Sequence, residues 1–284
     1  MSRISYVNGA YVRHMNAVVH IDDRGYQFAD AVYEGITVRH GRMVDLEPHL
    51  DRLWRSMGEL RIAPPMLRRP MRFVFREVIR RNRIENGFLY IQISRGVARR
   101  DHAFPAAPLQ ASLIVTLKRL DVDGIIRRAE VGVKAFSEDD IRWGRCDVKS
   151  TSLLPNILAK QSAKEKGGFE AVLVDVQGFV TEGSSTNMWI VRRDGVVQTR
   201  STADNILPGI TRATLMRLAR ELQIKVVEEA FTLKDAKGAA EMFLSSSTGC
   251  ATPIVELDGQ KIGDGTPGPV ATRLVEAYRK YMDA

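Results

Sequence analysis

The segments Asp147-Val148-Lys149-Ser150-Thr151 and Thr181-Glu182-Gly183-Ser184-Ser185-Thr186 organise this chain. A helix and two strands are predicted between them, and a return of that kind can bring Glu182 close to Lys149. In the first segment a lysine precedes a helix, and in the second an acid precedes a hydroxyl-rich turn. The two segments therefore mark the candidate site.

The chain between the two segments carries clear helix and strand signals. Pro155 is tolerated in a first helical turn, and apolar residues at helical spacing predict a buried helix that runs to about Lys166. Gly167-Gly168 is expected to end this helix, residues 169–174 are predicted to form a strand, and a second short strand leads to Glu182. The apolar residues that set the helical spacing are Leu154, Ile157 and Leu158.

A lysine before a buried helix and an acid before a Gly-Ser-Ser turn suit a pyridoxal cofactor. The lysine forms a Schiff base, the acid pairs with the pyridinium nitrogen, and the hydroxyls supply donors. The alternative for Lys149 is a solvated surface lysine, because lysine is rarely buried, and the alternative for Glu182 is a turn residue. The two residues together are a stronger signal than either alone.

The composition is that of an ordinary globular protein, with 44% hydrophobic and 27% charged residues in 284. No apolar run is long enough for a transmembrane helix, and the N-terminal residues lack the apolar stretch of a signal peptide. The two cysteines, Cys146 and Cys250, do not make a disulfide framework, so a cytoplasmic location is expected.

The formal charge of +8 raises the question of nucleic-acid binding. The arginines argue against it, since many of them line one face of a helix that is predicted over residues 68–86, with Gly87 as its stop. No Gly-aromatic RNA motif occurs. We expect neither a nucleic-acid nor a membrane partner, and we expect the cationic surface to attract anionic substrates.

A short polar stretch at residues 120–124 is predicted to separate two domains, residues 1–120 and residues 121–284. In the first, Asn8-Gly9 between two apolar runs predicts a hairpin, and leucines at helical spacing predict an amphipathic helix over residues 46–60.

Several cations are candidates for binding an anion. Arg99, Arg100 and His102 lie close together in sequence, and such cations repel one another unless an acid or an anion joins them. Asp101 is one possible partner, and a substrate carboxylate is the other. Arg52 lies beside an apolar helix position, and spacing alone favours a surface residue.

A second candidate anion-binding site lies at Gly209-Ile210-Thr211, where a predicted helix starts with unpaired backbone N–H groups and a hydroxyl. Such a start suits a phosphate, and the alternative is plain capping by Thr211. The strand that runs into Ser245-Ser246-Ser247 can supply further donors.

Together these residues resemble the fold-type IV pyridoxal-phosphate aminotransferases, a group that holds D-amino-acid and branched-chain aminotransferases and aminodeoxychorismate lyase. The resemblance covers nearly the whole chain and rests on separate motifs that follow the family's order. These motifs are Asp23-Arg24-Gly25-Tyr26-Gln27-Phe28, His49-Leu50-Asp51-Arg52-Leu53, Asp147-Val148-Lys149-Ser150, Thr181-Glu182-Gly183-Ser184-Ser185 and Gly209-Ile210-Thr211-Arg212.

The resemblance implies a mixed α/β fold, with a small N-terminal α/β domain and a larger, β-barrel-like C-terminal α/β domain. It implies pyridoxal 5'-phosphate as the cofactor and no metal. Lys149 would carry the cofactor and shuttle the proton, and Glu182 would hold the pyridine nitrogen protonated. The residues implied at the cofactor are Arg52, Lys149, Glu182, Ser185, Thr186, Ile210, Thr211 and Ser247.

Within the family the chain is most similar to the D-amino-acid aminotransferases. Their carboxylate trap is an Arg-x-His pair with a tyrosine, which here would be Arg100, His102 and Tyr33. In that group the pair comes from the partner subunit, so a homodimer with a shared active site is implied. The implied substrates are a D-amino acid, such as D-alanine or D-glutamate, and a 2-oxo acid, such as pyruvate or 2-oxoglutarate.

The branched-chain L-amino-acid aminotransferases and the lyase are alternatives. Branched-chain enzymes commonly carry an arginine two places after the tyrosine of the strand before the loop, but Tyr90 here is followed by Ile91 and Gln92. In contrast, Gly35-Ile36 resembles the branched-chain pattern. The missing side chain at Gly35 is expected to widen one side of the substrate pocket.

Overall fold

A computed structural model describes residues 3–284 of this protein. Its internal contacts divide the described chain into two compact units. The first holds residues 3–120 and Val148–Ser152, and the second holds Asp121–Asp147 and Leu153–Ala284. The assignment of residues 1–120 and 121–284 to two functional domains stays a prediction.

The first unit is built on a six-stranded antiparallel sheet in the order β2-β1-β6-β5-β3-β4. Helix α2 packs on β3, and α3 packs on β1 and β6, so that the apolar faces of both helices cover the sheet. The elements are β1 (Ile4–Val7), β2 (Ala10–Arg13), a 3-10 turn (His14–Asn16), α1 (Arg24–Phe28), β3 (Ala31–Arg39), β4 (Arg42–Met43), α2 (Leu46–Glu59), α3 (Arg68–Asn82), β5 (Gly87–Ser94) and β6 (Ser112–Arg119).

Helix α3 ends earlier than its pattern predicts. Arg83, not Gly87, caps it in the left-handed conformation with φ of 52°. The Arg83 N–H bonds to the carbonyl oxygen of Ile79 at 3.1 Å and so closes the last turn. The prediction that Gly87 stops the helix is therefore wrong, since Gly87 is the first residue of β5.

The segment Val148–Ser152 lies against the beginning of β3. The Tyr33 N–H donates to the Lys149 carbonyl at 3.0 Å, and the Thr151 N–H donates to the Ala31 carbonyl at 3.0 Å. Val32 and Ser150 form an antiparallel bridge. The segment that carries Lys149 is thus fixed along the sheet of the first unit.

The second unit is built on a nine-stranded mixed sheet in the order β12-β11-β10-β13-β14-β7-β8-β9, with β15 paired to β14. Helix α5 packs on β7 and β8, and α8 packs on β13 and β14. The elements are α4 (Val122–Val131), β7 (Val133–Asp139), α5 (Leu154–Glu165), β8 (Glu170–Val174), β9 (Val180–Gly183), β10 (Asn187–Val191), β11 (Val197–Thr199), α6 (Ile210–Glu221), β12 (Val226–Glu228), α7 (Leu233–Gly238), β13 (Glu241–Ser246), β14 (Cys250–Leu257), β15 (Gln260–Lys261) and α8 (Pro269–Asp283).

The polar stretch at residues 120–124 contains the start of α4, where the Asp121 carboxylate accepts from the Gly124 N–H at 3.0 Å. The expectation that α5 is a buried helix is wrong. Helix α5 forms where it was predicted, but its large apolar side chains are exposed and its buried residues are Ala159 and Ala163. The exposed fractions are 66% for Leu154, 58% for Ile157 and 56% for Leu158.

The predicted mixed α/β class is confirmed. Within residues 3–284, no helix combines the length and the apolar character that a membrane span requires.

Candidate active site

The Lys149 side chain reaches the aromatic face of Tyr33. Its amine nitrogen lies 4.1 Å from the centre of the Tyr33 ring. The backbone is held by the Tyr33 hydrogen bond and by the Lys149 N–H, which donates to the Ser56 hydroxyl at 3.3 Å. Among residues 3–284 the amine has no recorded hydrogen bond or ion pair, so no carboxylate neutralises it. A half-buried amine without an acid partner is suited to react with a carbonyl group.

Tyr33 belongs to a polar face of the sheet. Its neighbour across β5 is Gln92, and the hydroxyl of Tyr90 donates to the Gln92 side chain at 2.8 Å. The rings of Tyr33 and Tyr90 lie 5.7 Å apart. Burial, together with the nearby Tyr33, raises the pKa of Tyr90 to about 12. Tyr90 is therefore a neutral hydrogen-bonding group at physiological pH.

The space beside Gly35 is already filled. A Cβ atom built on Gly35 would lie 2.3 Å from Cζ of Phe88, which is on the adjacent strand. The expectation that Gly35 widens a substrate pocket is therefore wrong, because the Phe88 ring occupies that volume.

Arg52 is buried and belongs to a charged cluster with Glu34 and His49. Its Nε donates to Glu34 Oε1 at 2.7 Å and its Nη2 donates to Glu34 Oε2 at 2.8 Å. His49 Nδ1 lies 2.7 Å from Glu34 Oε2. Burial acts to raise the pKa of Glu34, but the charge and hydrogen bonds of Arg52, with that of His49, lower it to about 2. The surface alternative for Arg52 is wrong.

Arg100 and His102 are exposed on the loop between β5 and β6, at the ring of Phe28. The Arg100 guanidinium carbon lies 4.8 Å from the centre of that ring, and the His102 ring lies 5.4 Å from it. Asp101 forms no ion pair with either of them among residues 3–284, and its Oδ1 accepts from the Ala103 N–H at 3.1 Å. Within the described residues neither Arg100 nor His102 has a recorded ion pair, or any hydrogen bond or ring contact with Tyr33 or Lys149.

Glu182 is a buried carboxylate at the end of β9, and Arg142 donates directly to it. Arg142 also forms a two-point contact with Asp140, at 2.9 Å from Nε and 2.7 Å from Nη2. Burial acts against the charged forms, yet the pairing keeps the pKa of Asp140 low and that of Arg142 high. The Thr181 hydroxyl completes the cluster by donating to Asp140 at 2.7 Å.

The same carboxylate is tied to the loop before α6. The Leu207 N–H lies 3.2 Å from Glu182 Oε2, and the Asn187 side-chain amide donates to Glu182 at 3.2 Å and to the Leu207 carbonyl at 3.0 Å. A Cβ atom on Gly209 would lie 2.0 Å from the Asn187 side-chain oxygen. Only glycine at 209 allows this approach, which places the start of α6 beside Glu182.

Helix α6 begins at Ile210 with Gly209 as its N-cap, and within the described chain no side chain caps it. The alternative that Thr211 is a plain capping residue is therefore wrong. The first N–H groups of a helix have no acceptor within the helix, and the Thr211 hydroxyl has no recorded hydrogen bond within residues 3–284. Ser247 lies in the turn that follows β13.

The hydroxyl-rich turn after Glu182 is held by a buried acid. The Ser184 hydroxyl donates to Glu170, and the Thr186 hydroxyl lies 3.3 Å from the other oxygen of that carboxylate. Lys160 pairs with the same acid at 3.1 Å. Ser185 alone of the three is exposed.

Sequence reasoning missed the partners of the candidate residues. His49 and Arg52 are three apart on α2 and so share a helix face, a spacing that could have indicated a common partner. No comparable spacing points to Arg142 or Glu170, since each meets its partner only through the sheet of the second unit.

The comparisons with known proteins agree on one family. A model of class IV amino-transferases matches residues 31–257. A D-alanine aminotransferase of Staphylococcus aureus (strain N315) is 37% identical over 279 residues, which cover 98% of each chain. A D-alanine aminotransferase of Bacillus licheniformis is 36% identical over 275 residues, which cover 97% of this chain and 95% of the relative.

Solved structures of the same kind share the fold. The branched-chain amino acid aminotransferase of Escherichia coli has a TM-score of 0.91 at 25% identity, covering 99% of this chain and 95% of that chain. The branched-chain aminotransferase of the archaeon Thermoproteus uzoniensis, solved with norvaline, has a TM-score of 0.87 at 26% identity, covering 99% and 95%. A further branched-chain amino acid aminotransferase, solved with pyridoxamine 5'-phosphate, has a TM-score of 0.90 at 26% identity, covering 99% and 94%. The resemblance to fold-type IV aminotransferases is confirmed. This chain belongs to the class IV amino-transferase family.

Proposed function

We propose that this protein is a pyridoxal-phosphate-dependent transaminase that moves the amino group of a D-amino acid to a 2-oxo acid. D-alanine and D-glutamate are the expected donor types, and pyruvate and 2-oxoglutarate are the expected acceptors. The observation that carries the proposal is the Lys149 amine, which faces Tyr33 and has no carboxylate partner among residues 3–284. D-alanine aminotransferases that match nearly the whole chain support the choice of D-amino acids.

The residues of the second unit fit the cofactor that this function requires. The N–H groups of Ile210 and Thr211 at the start of α6, with the Thr211 hydroxyl, suit a phosphate. Glu182 is linked to the start of the same helix through Leu207. The second unit thus places a helix start that suits an anion and a buried carboxylate on connected elements. Ser185 and Ser247 lie in the turns that follow β9 and β13, and we assign them, with Thr186, to the same cofactor. From the first unit we assign Arg52 to this cofactor.

When bound, pyridoxal phosphate supplies an aldehyde that condenses with amines and a ring that stores electrons. Lys149 takes the α-proton of the amino acid on its Nζ and returns it. Glu182 would hold the ring nitrogen of the cofactor protonated, and Arg142 and Asn187 fix the orientation of its carboxylate. Arg142 also places a positive charge directly beside the Glu182 carboxylate.

Arg100, His102 and Tyr33 are assigned to the substrate. Arg100 is a planar fork of donors without an acid partner among the described residues, which suits a carboxylate. His102 adds a donor two residues away. A carboxylate fixed in this way would present the α-hydrogen of only one enantiomer to Lys149.

The proposal includes a homodimer with shared active sites and a cytoplasmic location. Exposed apolar side chains occur in both units and support a subunit contact. They include Met15, Ile21 and Tyr26 in the first unit and Leu154, Ile157 and Leu158 in the second. Two cysteines without a disulfide are consistent with a reducing compartment. Mixing Lys149→Ala with Arg100→Ala subunits should restore roughly one quarter of wild-type activity if the sites are shared, and none if they are not.

A matched panel of amino donors tests the function. The holoenzyme should convert D-alanine, with 2-oxoglutarate as acceptor, at least ~100-fold faster than L-alanine, and D-leucine faster than L-leucine. Preference for L-leucine or L-valine would support the branched-chain alternative. Release of pyruvate from an aminodeoxychorismate substrate without an amino acceptor would support the lyase.

A further inference from the structure

The loop that carries Arg100 and His102 is fastened by a buried arginine from another part of the chain. Arg24, in α1, is 3% exposed. Its Nη1 donates to the Asp101 carbonyl at 2.6 Å, and its Nη2 donates to the His102 carbonyl at 3.3 Å. A longer contact of 3.4 Å reaches the Ala103 carbonyl. One guanidinium therefore binds three successive carbonyl oxygens of the loop.

Arg24 is itself held in place by Asp30. Its Nε donates to Asp30 Oδ2 at 2.8 Å, and Arg95 contacts the two oxygens of the same carboxylate at 2.7 and 2.9 Å. Arg95 also donates to the Leu60 and Arg61 carbonyls at 2.7 and 2.8 Å. Burial acts to raise the pKa of Asp30, but hydrogen bonds from Arg95 and Arg24 lower it, so the acid stays ionised.

Two phenylalanines complete this arrangement. The Arg95 guanidinium carbon lies 3.6 Å from the centre of the Phe104 ring, at the end of the loop. The Phe28 ring contacts the guanidinium groups of Arg24 and Arg100, each at 4.8 Å. Arg24 and Arg95 thus contact the loop through its backbone carbonyls and through Phe104. The Arg100 and His102 side chains stay exposed beside Phe28.

We infer that Arg24 is a positioning residue, which with Asp30 and Arg95 holds the 100–103 loop so that Arg100 and His102 present a preformed carboxylate-binding pair. This inference rests on the proposed function of Arg100 and His102. An arginine is required at position 24 because its fork of five donors binds several carbonyls and an acid at once, which a lysine cannot do. Ordering the loop before substrate arrives reduces the entropy that binding loses.

The test compares Arg24→Lys with wild type as holoenzymes, and uses Arg69→Lys, an exposed arginine on α3, as the matched control. We expect faster amide hydrogen exchange at residues 99–104 in Arg24→Lys. We also expect the KM for D-alanine and for 2-oxoglutarate to rise about tenfold, with kcat within threefold and cofactor content unchanged. Arg69→Lys should match wild type in all of these measurements.

A second variant guards against a folding defect. Phe104→Leu removes the ring that contacts Arg95, at a partly exposed position. It should also accelerate amide hydrogen exchange at residues 99–104 and raise the KM for D-alanine, but less than Arg24→Lys does. Unchanged exchange in Arg24→Lys, or faster exchange with unchanged KM, would overturn the inference. The variant Arg100→Ala tests the proposed function separately from the role of Arg24. If Arg100→Ala leaves the KM for D-alanine unchanged, the carboxylate role of Arg100 itself is refuted.

Discussion

Arg142 and Glu182 form an ion pair in which both side chains are almost completely enclosed, with 6% and 7% of their surface exposed. Because Asp140 shares the same guanidinium, the cluster holds two negative charges and one positive charge. The ion pair with Arg142 and the hydrogen bond from Asn187 hold the Glu182 carboxylate in one orientation. We propose that Glu182, held in this way, pairs with the protonated ring nitrogen of the cofactor without a rearrangement of side chains.

Replacement of Glu182 by glutamine tests that role. Glutamine keeps the shape but removes the charge, so we expect kcat with D-alanine to fall by about 100- to 1000-fold. Turnover and the absorbance of the bound cofactor would be measured together. The exposed Glu276→Gln is the control and should behave as wild type. Near-normal turnover in Glu182→Gln would show that the assignment is wrong.

Cys146 reports on the same cluster without any substrate. Burial raises the pKa of its thiol to about 11, and the charges of Glu182 and Asp140 add to this effect while Arg142 opposes it. At pH ~8.5 the thiol should react with iodoacetamide at least about tenfold more slowly in the folded protein than in the unfolded chain. Glu182→Gln should accelerate the reaction, because it removes a negative charge. Mass spectrometry of the Cys146 peptide gives the rate, and equal rates in the folded and unfolded protein would contradict the expectation.

Glu34 should make the protein sensitive to acid. Its pKa falls from 4.5 to about 2 on folding. The stabilisation by this group is therefore complete above pH 4.5 and is lost as the pH falls towards 2. At pH ~3 the wild-type protein should have lost about 2 kcal/mol of the stabilisation that ionised Glu34 provides. Glu34→Gln lacks this ionisable group, so its stability does not change with pH for this reason. Urea unfolding between about pH 3 and 6 measures the difference, with the exposed Glu85→Gln as control. If the free energies of unfolding of wild type and Glu34→Gln differ by the same amount at every pH, the role of Glu34 in acid sensitivity is refuted.

The close approach of Phe88 makes Gly35 intolerant of a side chain. A Cβ atom would lie 2.3 Å from the ring, and overpacking of this kind typically destabilises a protein by about 1–3 kcal/mol. We expect Gly35→Ala to lower the free energy of unfolding by that amount. The pair Gly35→Ala/Phe88→Leu should lose less than the sum of its single variants. Additive losses would show that the two residues do not compete for space.

Most elements could be predicted from the sequence because their signals are local. The spacing of leucines predicted α2, and Asn8-Gly9 predicted the first hairpin. Helix α4 was missed because its first residues include Asp121, Asp123 and Gly124, which are also typical of loops. The burial of α5 was misjudged because helical spacing of apolar residues does not say which face is covered.

The candidate site was only partly visible in the sequence. Lys149 and Glu182 were identified by their flanking residues and by the family resemblance. Their partners were not, since Tyr33 meets Lys149, and Arg142 meets Glu182, only after distant segments pair. Gly35 was misinterpreted for the same reason: the residue that decides its environment, Phe88, lies on another strand.

Borohydride reduction of the holoenzyme, followed by peptide mapping, tests the central claim most directly. Reduction fixes the cofactor covalently on the lysine that binds it. We expect a single adduct on Lys149, and no adduct in Lys149→Ala, while the exposed Lys280→Ala should retain it. An adduct on any other lysine of the wild-type protein, or full transaminase activity in Lys149→Ala, would contradict the account.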